Sequence, residues 1–199
     1  FFNLPLSIGG YFLSASAIIL AGFIARAPDP DRILPIYYLA LGLANPMAFA
    51  ATRIQTIVLT FPPQSPRDSR TLRFALNAGI VLGILPLIFI LPGMIEFYYV
   101  KLQKLAVQDL HLVKLTAFFL IFFPISVAIR AHREGLAAWL KKPTTVLAGH
   151  AVFMAAIIVI GFSLLKFGVA PELIGPAGLT VGSLASSATI RLALNRAKE

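Results

Sequence analysis

Cysteine is absent from the 199-residue sequence. That excludes disulfides and thiolate-held metals and leaves the compartment open. Charge is scarce as well: Asp, Glu, Lys and Arg make up 13% of the residues, against about 25% in an ordinary soluble domain. A surface so poor in charge would not stay dissolved, so the natural solvent is a lipid bilayer. Acids are the scarcer sign, 8 against 17 bases, for a formal charge of +9. In a soluble protein that balance would suggest nucleic acid. Here the bases lie mostly between apolar runs, where anionic lipid and the positive-inside bias explain them better, so membrane lipid is the expected partner and nucleic acid is not. Catalytic signatures are missing too: no G-x-S-x-G, no H-E-x-x-H and no phosphate-binding glycine loop. No enzyme activity, cofactor or metal is expected.

What is present is 58% hydrophobic and falls into six apolar runs, at about residues 1–24, 33–61, 71–91, 112–129, 144–165 and 176–194. Such runs suit a hydrocarbon core about 30 Å thick. The fold class read from them is an all-α membrane protein of six transmembrane helices. The sequence begins inside the first run without Met, and is read as a piece cut at the start of a helix. Ser7, Gly10 and Ser14 are spaced along one face of that run, where small residues let helices approach closely. The second run exceeds one crossing, with Pro46 the expected kink. Asn45, Thr52, Thr56 and Thr60 share one side of it, with Arg53 beside them. Pro124 interrupts the fourth run. Residues 94–111 mix Tyr98, Tyr99, Lys101, Lys104 and Asp109 with apolar residues at helical intervals, which predicts an interfacial amphipathic helix.

Six crossings place both ends on one side. Arg67, Arg70, Arg73, Arg130, Arg133, Lys141, Lys142, Arg191, Arg196 and Lys198 fall on that side, ten bases. Arg26, Arg32, Lys101, Lys104, Lys114 and Lys166 fall on the other, six bases. The ten-base side is therefore read as cytoplasmic.

The last run carries Gly178, Gly182 and Ser186, a small-xxx-small packing face, and beside it Ser183, Ser187, Arg191 and Asn195 at steps of four. A helix with two such faces is surrounded by protein or lines water. His150 lies about seven residues into the fifth run. None of the six runs holds Asp or Glu; Glu96, Asp109, Glu134 and Glu172 fall outside them. A buried carboxylate is the usual device for coupling protons or binding cations. With Arg53 and Arg191 as the pathway charges, an anionic substrate is favoured. The triplet His132-Arg133-Glu134 is read as the solvated face of a connector between two membrane helices.

That connector sits in the stretch with the most specific string. Phe122-Phe123-Pro124, Val127, Arg130-Ala131-His132, Gly135 and Leu140-Lys141-Lys142, followed by Val181-Gly182-Ser183-Leu184, resemble the progressive ankylosis (ANKH-type) membrane proteins. These are similar in fold to the multidrug and toxin extrusion (MATE) proteins, within the multidrug/oligosaccharidyl-lipid/polysaccharide flippase grouping. The resemblance is best over residues 105–186. It implies two six-helix lobes rocking around a central cavity, this chain supplying the C-terminal one and its partner being an N-terminal lobe of the same polypeptide. It also implies export of anions such as pyrophosphate, ATP and citrate across the cell membrane. Residues 170–174 depart from the animal pattern by an insertion.

The leading expectation is an exporter of small organic or phosphate-bearing anions working by alternating access. Arg53, Asn45, His150, Ser183, Ser187 and Arg191 would contact substrate, and Arg130 and His132 would gate the cytoplasmic mouth. The rivals are a polysaccharide or lipid-linked sugar flippase and a non-transporting membrane scaffold with a dry interior.

Overall fold

A computed structural model describes residues 15–64 and 68–196. Most of the first run, with Ser7, Gly10 and Ser14, lies outside these residues, as do Arg67 and Lys198. The described chain is helical: α1 (Ala15–Ile24), α2 (Pro30–Thr52), α3 (Ile54–Thr60), α4 (Arg70–Ile84), α5 (Leu110–Phe119), α6 (Phe122–Trp139), α7 (Pro143–Lys166) and α8 (Ile174–Arg196). Among the described residues, five helical spans are long and apolar enough to cross a membrane: Pro30–Thr60, Arg70–Ile90, Val107–Trp139, Pro143–Lys166 and Pro171–Asn195. Large apolar side chains cover their outer faces, including Phe49, Val81, Val159, Phe162 and Leu192. An apolar exterior on this scale suits lipid and not water.

The prolines act in unexpected places. Helix α2 runs on through Pro35 and Pro46 and is interrupted at Arg53, whose backbone N–H bonds the carbonyl of Ala50 at 3.1 Å before α3 begins. Pro124 does not break its span either. It stands in the first turn of α6, where the backbone N–H groups have no intrahelical partner to lose. The break falls just ahead of it, at Leu120 and Ile121. Pro86 does end its α-helix, which tightens into a 3₁₀ segment over Leu85–Ile90. The amphipathic helix expected at 94–111 is replaced by a π-helical turn, Glu96–Leu102, and a short 3₁₀ turn, Val107–Asp109. Tyr99 is buried there, edge-on to Tyr98 at 4.9 Å; the aromatics that suggested an interfacial face instead pack inward.

The largest revision concerns residues 130–139. They are the second half of α6, not a connector. Ala, Leu, Arg and Glu are strong helix formers, and Arg130 and Glu134 stand at i, i+4 where their charges oppose. The true connector is Leu140–Lys142. It closes with Lys141 in the left-handed region at φ 57, while Lys141 N–H bonds Ala138 O at 3.0 Å and Lys142 N–H bonds Ala137 O at 2.8 Å. That paired pattern caps the α6 carbonyls and turns the chain directly into α7.

Helix α6 is the hub, packed against α2, α3, α4, α7 and α8. Close approach depends on small residues. A Cβ at Gly135 would sit 2.8 Å from the Val58 side chain and 2.9 Å from the Gln55 carbonyl. The ladder on α8 is a packing face shared by two helices: Gly178 abuts Leu20 of α1, and Gly182 abuts Phe153 and Ile157 of α7. Pro63, Gln64, Asp68 and Ser69, the α6–α7 connector and the end of α8 gather at one end of the bundle. At the opposite end, Arg32 on α2 pairs with Asp109 ahead of α5 at 2.6 Å.

Candidate substrate cavity and buried charge network

The interior of the bundle holds a charged cluster carried by three helices. Arg130 and Glu134 descend from α6, His150 from α7 and Ser183 from α8; all four are buried. Arg130 Nε lies 3.3 Å from Glu134 Oε1. His150 Nε2 donates to the same oxygen at 2.9 Å. Arg130 Nη1 makes a long contact to Ser183 Oγ at 3.5 Å, and its guanidinium lies over the Phe153 ring, 5.1 Å from the centroid. His150 Nδ1 is buried without a hydrogen-bond partner, as is the nearby Ser186 Oγ. Because an ionised carboxylate only accepts, the proton between His150 and Glu134 sits on Nε2, which leaves Nδ1 as the unused ring nitrogen.

One side of this cluster opens onto a cavity of about 400 Å³ between α1, α2, α6, α7 and α8. Arg130 is the charged residue in its wall; Asn45, Thr52 and Tyr37 of α2 and Phe123 and Phe153 supply the rest of the lining that matters here. A second cavity, about 530 Å³, lies at the end of the bundle and is lined by His132, Arg133, Arg191 and Asn195, among others. His132 Nε2 is 3.1 Å from Thr71 Oγ1 of α4.

The residues singled out from sequence therefore separate. Asn45 and Arg130 share the inner cavity, Ser183 touches Arg130, and His150 reaches it through Glu134. Ser187 is buried and lines neither cavity. Arg191 belongs to the second cavity. Arg53 is exposed and lines neither, because α3 buries Ile54 and Val58 and leaves Arg53 on the outer side. Arg130 and His132, expected together at one mouth, line different cavities, as residues two apart on a helix face different ways.

Glu134 is the functional candidate that sequence reading missed. It lies within the apolar span Val107–Trp139, not beyond it, so the bundle does contain a buried carboxylate. The signal was available in the Arg130–Glu134 spacing once residues 130–139 are taken as helix. Compared with known proteins, the chain matches no family model, no curated protein and no solved structure.

Proposed function

We propose that the chain is one lobe of a multi-pass membrane transporter that moves small organic or phosphate-bearing anions by alternating access. The observation that carries this reading is Arg130, a buried guanidinium in the wall of a cavity inside a bundle of apolar helices. An ionisable group in such a place is costly to keep, and it marks substrate or ion pathways far more often than scaffolding. A planar guanidinium recognises carboxylate and phosphate oxygens in pairs. The residues behind the family resemblance, among them Phe123, Pro124, Arg130, His132 and Gly135, are buried along α6 and support the same reading.

Glu134 changes how the anion must bind. In the present arrangement the carboxylate partly neutralises Arg130, so a substrate anion in the cavity competes with Glu134 for the guanidinium. When it succeeds, Glu134 keeps its bond from His150, and one added proton on the Glu134–His150 pair restores the balance. Binding of anion and proton are thereby linked.

The test is uptake of labelled citrate or pyrophosphate by vesicles containing the protein. Arg130→Ala abolishes uptake, Arg130→Lys reduces it, and Arg53→Ala leaves it unchanged. Wild-type rates in Arg130→Ala would overturn the assignment. A cysteine placed at Asn45 in this cysteine-free background reacts with a membrane-impermeant thiol reagent if the cavity is wet; no reaction, together with no uptake, favours the scaffold.

A further inference from the structure

The second cavity is lined by two arginines that no carboxylate pairs among the described residues. Arg133 comes from α6 and Arg191 from α8, and both face the same space of about 530 Å³, together with His132, Thr71, Ser69 and Asn195. Neither has a carboxylate within ion-pair distance among the described residues. Asp68 also lines the cavity, but Arg70 already engages it: Arg70 Nη2 lies 3.2 Å from one oxygen, and Arg70 Nε and backbone N–H lie 3.2 Å and 3.0 Å from the other. Arg133 Nε and His132 Nδ1 are buried with no hydrogen-bond partner. Buried donors are nearly always satisfied in a native protein, and an orphan calls for a missing partner.

We propose that Arg133 and Arg191 form a binding site for a phosphate monoester or inorganic phosphate, separate from the inner cavity. Two guanidiniums lining one cavity carry two positive charges. A carboxylate would cancel one; a phosphate group carries about 1.5 to 2 negative charges at neutral pH with three strong acceptor oxygens, and bidentate arginine suits it. The position fits either a dissolved phosphate or a lipid headgroup. Trp139 and Leu140 line the same cavity, and tryptophan is enriched where membrane meets water. The site stands on its own geometry and does not require the transport reading.

The experiment uses the purified protein in two arms. In detergent, binding of inorganic phosphate is followed by calorimetry. In phosphatidylcholine nanodiscs with and without phosphatidic acid, retained lipid is counted by native mass spectrometry. Arg133→Gln and Arg191→Gln each weaken the bound phosphate species by about tenfold or more, while Arg73→Gln, an equal charge loss at an exposed residue lining neither cavity, does not. Arg191 is exposed, so its variant folds and carries the test if Arg133→Gln does not. Binding in the first arm identifies a soluble ligand, and binding in the second alone identifies a lipid; either supports the site. Absence of binding in both, or equal weakening by Arg73→Gln, overturns it.

Discussion

Replacing Glu134 by alanine removes one of two opposite charges from the interior. The Arg130 and Glu134 side chains are 5% and 9% exposed and 3.3 Å apart. What remains in Glu134→Ala is a guanidinium facing Phe153 and a serine hydroxyl at 3.5 Å, plus a His150 Nε2 without its acceptor. Breaking a buried pair from one side costs about 3–5 kcal/mol, because the survivor is left uncompensated. Arg130→Met leaves Glu134 held by His150 alone and should cost a similar amount. Removing both together, Arg130→Met with Glu134→Ala, takes away the desolvation cost along with the attraction and should bring stability back to within about 2 kcal/mol of wild type, the remainder being the space left by the shorter side chain. The coupling in this double-mutant cycle is then several kcal/mol, beyond the usual 0.5–3 kcal/mol range for neighbouring residues. Unfolding of the purified protein in mixed micelles with increasing dodecyl sulfate measures all four forms. If Glu134→Ala loses less than about 1 kcal/mol, or the double variant loses the sum of the singles, the two charges are not holding each other in place and the network is misassigned.

Three further outcomes follow from the packing and the loops. Gly135→Ala should cost about 1–3 kcal/mol in the same assay, since its Cβ meets the Gln55 carbonyl, which is backbone and cannot swing aside, whereas Gly182→Ala meets the Phe153 and Ile157 side chains at 3.0 Å and 3.1 Å and should cost less; equal losses would show that backbone contact is not what limits α6 against α3. Arg53→Ala should shift stability by no more than about 0.5 kcal/mol, because the residue is exposed and has no ion pair among the described residues; a large loss would place its head group against protein. Hydrogen bonds from the Arg70 side chain and then its backbone N–H hold the Asp68 carboxyl down at about 2, below the ordinary 3.8. Its folded value lies below its unfolded one, so the stability it adds is present above 3.8 and is lost as pH falls toward 2. The gap between wild type and Asp68→Asn should therefore be flat at neutral pH and close in acid, and a gap that persists at pH 2 would assign it to something other than the charge.

Hydropathy made most of the spans readable because lipid demands long apolar helices and little else. The spans beginning near 33, 71 and 144, and the packing role of Gly178 and Gly182 could all be placed from residue type alone. The failures share one cause. Charged residues were taken one at a time, each as a mark of solvent, so α6 was ended at 129 and Glu134 was put outside the bundle. In the fold, Arg130 and Glu134 cancel across one helical turn, and the helix continues to Trp139. Conversely Arg53, which sequence placed on a polar stripe, faces outward because the stripe is broken where α2 ends at Thr52. Thr56 and Thr60 are also exposed, and the Thr60 hydroxyl donates to its own helix, to Thr56 O at 3.0 Å, with no cavity to face.

The small residues of α8 and the charges of α6 serve one arrangement. Gly149 on α7 meets Ile190 and Ser186 of α8, and Gly182 on α8 meets Phe153 of α7, so side chains of each helix pack directly onto the backbone of the other along this stretch. His150 is the neighbour of Gly149 and Ser183 the neighbour of Gly182, and both turn toward α6, where Glu134 and Arg130 receive them. A bulkier residue at either glycine would push apart the helices that carry two of the four members of the network. Phe153 joins the two features: one face packs at Gly182 and the ring lies beneath the Arg130 guanidinium. The position of the cavity's charge therefore depends on glycine packing between the two neighbouring helices, and a shift of α7 against α6 would strain the His150–Glu134 bond. On the proposed transport reading, Gly182→Leu should impair anion uptake along with stability, whereas a cavity-lining change such as Asn45→Ala should alter uptake alone; a Gly182→Leu variant that is destabilised yet transports normally would show that the network does not depend on this packing.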